Sequence, residues 1–174
     1  MIHFDFERLR SMGLTPALAS RATACASEPP LAELACQLMR LTVLHRETLR
    51  LHDGESEINA RVMPRLARAL FDAEDALAVG DWVLCAMDAH GAAWVHERVP
   101  PLTHLVRRDA DGRRHPVVSN IDTALLVMGL DDDFNPRRLE RFLALVQGSG
   151  VQPVIVLSKA DTLADARALF CRMQ

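Results

Sequence analysis

The sequence predicts a mixed fold: N-terminal helices, then a small all-β barrel, then the first βαβ part of an α/β domain. Three observations carry this reading. The hydrophobic period changes twice, from helix-like to alternating near Leu38, and to unbroken apolar runs in the last third. Turn residues gather where strands should end, at Asp53-Gly54, Pro100-Pro101 and Asp111-Gly112. Of the 174 residues, 49% are hydrophobic, enough for a buried core and against general disorder.

Residues 1–37 read as a helical extension. Phe4, Phe6, Leu9 and Met12 are roughly helix-spaced, and Gly13 is a natural stop. Thr15-Pro16 then has the form of an N-cap followed by proline at the first helical position. Glu28-Pro29-Pro30 breaks the alanine-rich helix, and LAELACQLM predicts one further short helix.

Residues 38–112 read as the barrel. Alternation through LTVLHRETLRLH and EINARVMP, joined at Asp53-Gly54, predicts a hairpin. RLARALFDAEDALA suits a short helix or a long connection. VGDWVLCAM and AAWVHERV, joined by DAHG, add two more strands. Four or five short strands around one helix or loop suit an OB-like barrel, and periodicity does not separate that from an SH3-like one. RRDADGRRHP reads as a charged link, which puts the domain boundary near residue 112.

Residues 113–174 change texture again. TALLVMGL has the continuous apolar pattern of a strand buried on both faces. Asn135-Pro136 opens a helix with Leu139, Phe142, Leu143 and Val146 on one face, and PVIVLS forms a second buried strand. This is a right-handed βαβ unit with parallel strands.

The second strand runs into Ser158-Lys159-Ala160-Asp161, just past a carboxyl end, where open α/β sheets bind ligands. A carboxylate there can accept two parallel hydrogen bonds from N1–H and the exocyclic amine of guanine. Adenine offers no such donor pair, so it would leave Asp161 unmatched. The Lys159 methylenes can lie along the base. The plainer alternative is that Asp161 caps a helix beginning at Thr162. No Gly-Lys-Ser/Thr phosphate loop occurs, because Ala follows the chain's one lysine.

Composition narrows the rest. The formal net charge of −3 does not advertise nucleic-acid binding. Local basic clusters do occur: Arg46 and Arg50 with Arg61 and Arg65 on the first strands, and Arg107, Arg108, Arg113 and Arg114 at the link. Trp82 reads as core, and Trp94 stays open. With so few aromatics, phosphate and shape recognition is expected over base stacking. Cys25, Cys36, Cys85 and Cys171 are scattered, which suits reduced thiols in a cytoplasmic protein rather than a metal site. His45, His52, His90, His96, His104 and His115 show no ligand spacing, and no nucleophile triad is evident.

These parts together resemble a known family. VGDWV, ERVPPLTHLVRR and VVSNIDTALLVMGLDDDFNPRRLERFLALVQGSGVQPVIVLSKAD are similar to the bacterial ribosome small-subunit-dependent GTPase A family of circularly permuted GTPases. The likeness runs from about Leu38 to Asp161 and is most specific from Asn120 onward. It implies an OB-like RNA-binding barrel followed by the first βαβ part of a P-loop-type GTPase domain. In that family the guanine motif comes first and the phosphate loop and switches come later, so this chain alone is not expected to hydrolyse GTP. The motif is usually Asn-Lys-x-Asp; Lys159 and Asp161 match it, and Ser158 stands in the place of Asn.

The resemblance implies GTP or GDP as ligand, and the small ribosomal subunit and its rRNA as partners. Mg²⁺ and a structural zinc are implied by the family only, with ligands outside this chain. A monomer is expected, with no membrane association. The alternative is a truncated rRNA-binding module without nucleotide hydrolysis. Two parallel strands with their helices cannot cover both sheet faces, so an open apolar edge is expected at VIVLS.

Overall fold

The computed structural model describes residues 2, 4–45, 48–132 and 134–162. They divide into two compact units, residues 1–120 and 121–174. Arg46, Cys171 and the helix expected beyond Asp161 lie outside the described residues.

In the first unit, α1 (Phe6–Arg10) starts where Asp5 Oδ1 accepts from Arg8 N at 3.1 Å. Helix α2 (Pro16–Ser27) starts where Thr15 Oγ1 accepts from Leu18 N at 3.3 Å. Both caps satisfy amides that the first helical turn leaves unpaired. The helix expected over LAELACQLM is shorter: a 3₁₀ turn covers Leu31–Glu33, and QLM opens strand β1 (Gln37–Leu44). β1 pairs with a neighbouring strand from Gln37, and that ladder overrides local propensity.

Strands β2 (Leu49–His52), β3 (Glu57–Val62), β4 (Trp82–Met87) and β5 (Ala93–Arg98) complete a closed barrel in the order β1-β2-β3-β5-β4. The β2–β3 turn is the expected Asp53-Gly54 hairpin. Asp53 Oδ1 accepts from Glu55 N at 2.9 Å and Ser56 N at 2.8 Å, and Gly54 takes φ +99°. A parallel β3–β5 pair closes the ring. Between β3 and β4 runs α3 (Pro64–Asp72), whose Leu66 joins the barrel core. This is the OB-like arrangement, not an SH3-like one.

β4 explains the unbroken apolar run of VGDWVLCAM. Val83 and Cys85 face the barrel core with Met39, Leu41, Leu51 and Val95. Trp82, Leu84 and Ala86 face a second core with Leu9, Leu14, Leu18 and Leu31 from the N-terminal segment. Period-two alternation thus serves two cores at once. Trp82 is fully buried, as the sequence suggests.

The segment expected as a charged link is instead a hairpin of β6 (His104–Arg108) and β7 (Arg114–Ser119), with residue 112 in its turn. Asp109 Oδ1 accepts from Asp111 N at 3.0 Å and Arg113 N at 2.9 Å, and Gly112 supplies φ +79°. The polar residues that read as linker are this turn's wiring.

The second unit contains β8 (Thr123–Gly129), α4 (Pro136–Gly148) and β9 (Gln152–Ser158). β8 and β9 pair in parallel from Thr123↔Gln152 to Gly129↔Ser158. Asn135 caps α4 by accepting from Arg138 N at 3.0 Å. Leu139 and Val146 of α4 are buried, but Phe142 is 49% exposed, off the buried stripe on which the sequence puts it. β8 differs from expectation too. Met128 is buried, whereas Leu125 and Val127 are 64% and 63% exposed on one face, and the other face is only partly covered, with Ile155 exposed beside Leu126.

Candidate functional site

The tetrapeptide expected to read guanine sits at the carboxyl end of the parallel pair. Ser158 is the last residue of β9, Lys159 takes φ +58°, and a 3₁₀ turn covers Ala160–Thr162. A left-handed lysine is uncommon outside turns, and here it joins the strand end to the 3₁₀ turn. Ser158 Oγ donates to Met128 O at 3.3 Å, and Leu130 N donates to Ser158 O at 3.0 Å, which ties the two strand ends together. Lys159 Nζ is ion-paired with Asp131, just beyond β8. Asp161 is exposed at the same end. The edge therefore presents the Asp161 carboxylate to solvent beside an ion-paired lysine, with Asp132 also exposed just beyond β8.

The basic candidates lie elsewhere. Arg50 on β2 is 3.4 Å from Glu57 Oε2, so its charge is partly matched. Arg61 on β3 and Arg65 on α3 are exposed. Arg61 and Trp94 are cross-strand neighbours and line one apolar groove of the barrel with Leu49, Val62, Leu70 and Phe71. Trp94 Nε1 donates to Asp88 Oδ2 at 3.0 Å. The hairpin brings the second cluster together. Arg108 pairs across the ladder with Arg114, Arg107 with His115, and Arg113 stands in the turn. All four arginines are exposed, and Arg108 NH1 donates to Gly112 O at 2.9 Å.

One polar cluster is not legible in the sequence. His104 Nδ1 lies 2.8 Å from Ser119 Oγ, and its Nε2 lies 3.2 Å from Asp75 Oδ1. Asp75 Oδ2 accepts from Arg98 NH2 at 2.6 Å. Burial pushes Asp75 up, but the Arg98 guanidinium, the Ala76 amide and His104 together hold its carboxyl down at about 2. Nearby Asp81 is fully buried and accepts from Ala78 N at 2.8 Å. Burial pushes its carboxyl above the ordinary range. Ser119 is fully buried as well, so this acid–imidazole–hydroxyl line is a structural network and presents no nucleophile to solvent. The one sequence signal that could have found it is the set of charged or titratable residues beside apolar strand runs: Asp75, Asp81, Arg98 and His104.

The described cysteines, Cys25, Cys36 and Cys85, are free thiols. Burial raises each of them, Cys85 to about 11, which disfavours thiolate chemistry. Among the described residues no group of three or more His, Cys, Asp or Glu is arranged to hold a metal ion. No helix among them is long and apolar enough to cross a membrane.

Comparison with known proteins shows similarity in sequence and in fold. Residues 98–173 match the family model described as RsgA GTPase. Over 109 residues the chain is 42% identical to the small ribosomal subunit biogenesis GTPase RsgA of Xanthomonas oryzae pv. oryzae (strain PXO99A), covering 62% of this chain and 29% of that protein. The RsgA of Xanthomonas axonopodis pv. citri (strain 306) matches with the same identity and coverage. The chain thus spans about three tenths of the length of these curated relatives. Among solved structures, YloQ, a circularly permuted GTPase, aligns with TM-score 0.55 at 21% identity, over 79% of this chain and 46% of YloQ. YjeQ from Thermotoga maritima aligns with TM-score 0.57 at 17% identity over the same shares. The chain is thus similar in sequence to RsgA GTPases over part of their length, and in fold to the circularly permuted GTPase YloQ.

Proposed function

We propose that the chain is the N-terminal part of a GTP-binding ribosome-assembly factor acting in late maturation of the small (30S) subunit. In this reading Ser158-Lys159-Ala160-Asp161 recognises the guanine of GTP or GDP: Asp161 accepts from the base edge, and the Lys159 stem lies along the base face. The barrel and its hairpin contact rRNA through phosphates. GTP hydrolysis belongs to the complete protein, since no phosphate loop occurs in this sequence. The protein works in the cytoplasm as a monomer. In this reading the ligands of Mg²⁺ and zinc lie outside this chain, and no step is routed through a metal.

The observation that supports this reading most is the position of Lys159 and Asp161, at the end of β9 where it lies beside β8. The test is nucleotide binding. Guanosine monophosphate should bind this chain in preference to adenosine monophosphate, and Asp161→Ala should abolish the preference. Equal binding of both nucleotides by the unmodified chain would sink the guanine assignment.

A second reading, a truncated rRNA-binding module without nucleotide chemistry, draws support from the exposed arginine hairpin. It expects salt-sensitive binding to the small subunit that is indifferent to guanine nucleotide.

A further inference from the structure

The tetrapeptide's lysine is not loose at the sheet edge. Gly129 and Ser158 are register partners. Lys159 is one residue past its strand and Asp131 is two residues past Gly129, so the ion pair between them spans the ends of β8 and β9. The Asp131 side chain is itself seated over Gly129. A Cβ at that glycine would lie 2.7 Å from Asp131 Oδ1, closer than real contacts allow, and a tight 3.3 Å from its Cγ. The backbone around the pair is also pinned. Asp131 O accepts from Phe134 N at 2.9 Å, and the Leu130–Ser158 and Ser158–Met128 bonds hold both strand ends. The carboxylate is the more enclosed partner at 29% exposure, while the lysine side chain is 56% exposed and offers its methylenes to solvent.

We propose that Asp131 is a positioning residue for guanine recognition: it anchors Lys159 Nζ across the two strand ends, so that the lysine stem is set before a base arrives. This rests on the guanine reading of the tetrapeptide given above. An ion pair this exposed adds little to fold stability. Its consequence lies in binding. A lysine has a flexible four-carbon stem to immobilise, and a stem already tethered removes most of that ordering cost from association. The positive φ of Lys159 and the missing Cβ at Gly129 are the two backbone features that make the tether possible.

The test uses the fact that Lys159 is the chain's one lysine. Feeding ¹³C-lysine to the expression host yields a single set of lysine side-chain resonances, which reports Lys159 directly. In the unmodified chain its ε-methylene should be motionally restricted, and guanosine monophosphate should perturb it. Asp131→Asn should free the ε-methylene and weaken guanosine monophosphate binding about threefold to tenfold, the scale of ordering one long side chain. Asp131→Glu should recover most of the affinity. Gly129→Ala, which displaces the carboxylate but keeps its charge, should fall between. An amide spectrum unchanged away from the site verifies that each variant is folded. Equal guanosine monophosphate affinity in the unmodified chain and Asp131→Asn overturns the positioning role while leaving guanine reading intact, and an equally mobile Lys159 in both does the same. No guanosine-over-adenosine preference in the unmodified chain overturns both.

Discussion

At the scale of single residues, Asp75 is the carboxylate on which the first unit's polar interior depends. It faces Arg98 at 2.6 Å and His104 at 3.2 Å, and the Asp75 and Arg98 side chains are 15% and 14% exposed. Removing one member of so enclosed a pair leaves the other desolvated and unmatched, so Asp75→Ala should cost about 2–4 kcal/mol in urea unfolding at neutral pH. The acid response has a definite sign. A carboxyl held below its unfolded value stabilises the folded state above that value and loses the effect as pH falls. For Asp75 the window runs from the ordinary 3.8 down to about 2. Asp81, raised by burial, acts oppositely and favours the folded state when protonated. The unmodified protein should therefore lose stability steeply between about pH 4 and pH 2, and Asp75→Ala should show a shallower decline there. Parallel pH profiles for the two proteins would count against the assignment. None of this network is legible in the sequence, because Asp75, Arg98, His104 and Ser119 are dispersed along it and meet only after the strands pair. The placement of Lys159 and Asp161 just past the end of β9 is legible because it follows from one local strand pattern.

At the scale of elements, the sequence predicts local structure well wherever a turn or cap suffices. Thr15, Asp53-Gly54 and Asn135 do what their side chains and backbone freedom allow. Prediction and structure part where pairing partners decide the outcome. QLM has the local pattern of a helix, and it is a strand because its partner lies far along the chain at Val83 and Cys85. RRDADGRRHP has the pattern of a link because strands rich in arginine lack the apolar alternation that marks a half-buried strand, and this ribbon buries little. Its exposure also makes it a separable element. Arg107, Arg108, Arg113 and Arg114 belong to neither hydrophobic core, so replacing them by alanine should change barrel unfolding little. Binding to small-subunit rRNA should weaken, and the slope of log K against log salt should flatten by roughly 0.7–0.9 for each phosphate no longer engaged. An unchanged salt slope would remove the hairpin from the proposed rRNA contact.

At the scale of the whole molecule, the two units differ in how completely they are covered. The barrel is sealed by ring closure and by two cores. The parallel pair leaves Leu125 and Val127 on β8, and Val154 and Val156 on β9, exposed on one face, and Ile155 exposed on the other. Residues 121–162 should accordingly exchange their amides faster than the barrel strands. Equal protection in β9 and β4 would contradict this. The apolar run of β8 suggests burial on both faces, since periodicity records what a strand is built to bury and says nothing of whether the covering layer is present. The double role of β4 has a consequence for anyone shortening the chain. A fragment starting at Gln37 would keep every barrel strand and still expose Trp82, Leu84 and Ala86 along one wall. Such a fragment would be a ring with a greasy flank: prone to stick to itself, red-shifted in tryptophan emission, and a poor surrogate for the barrel in any RNA-binding assay.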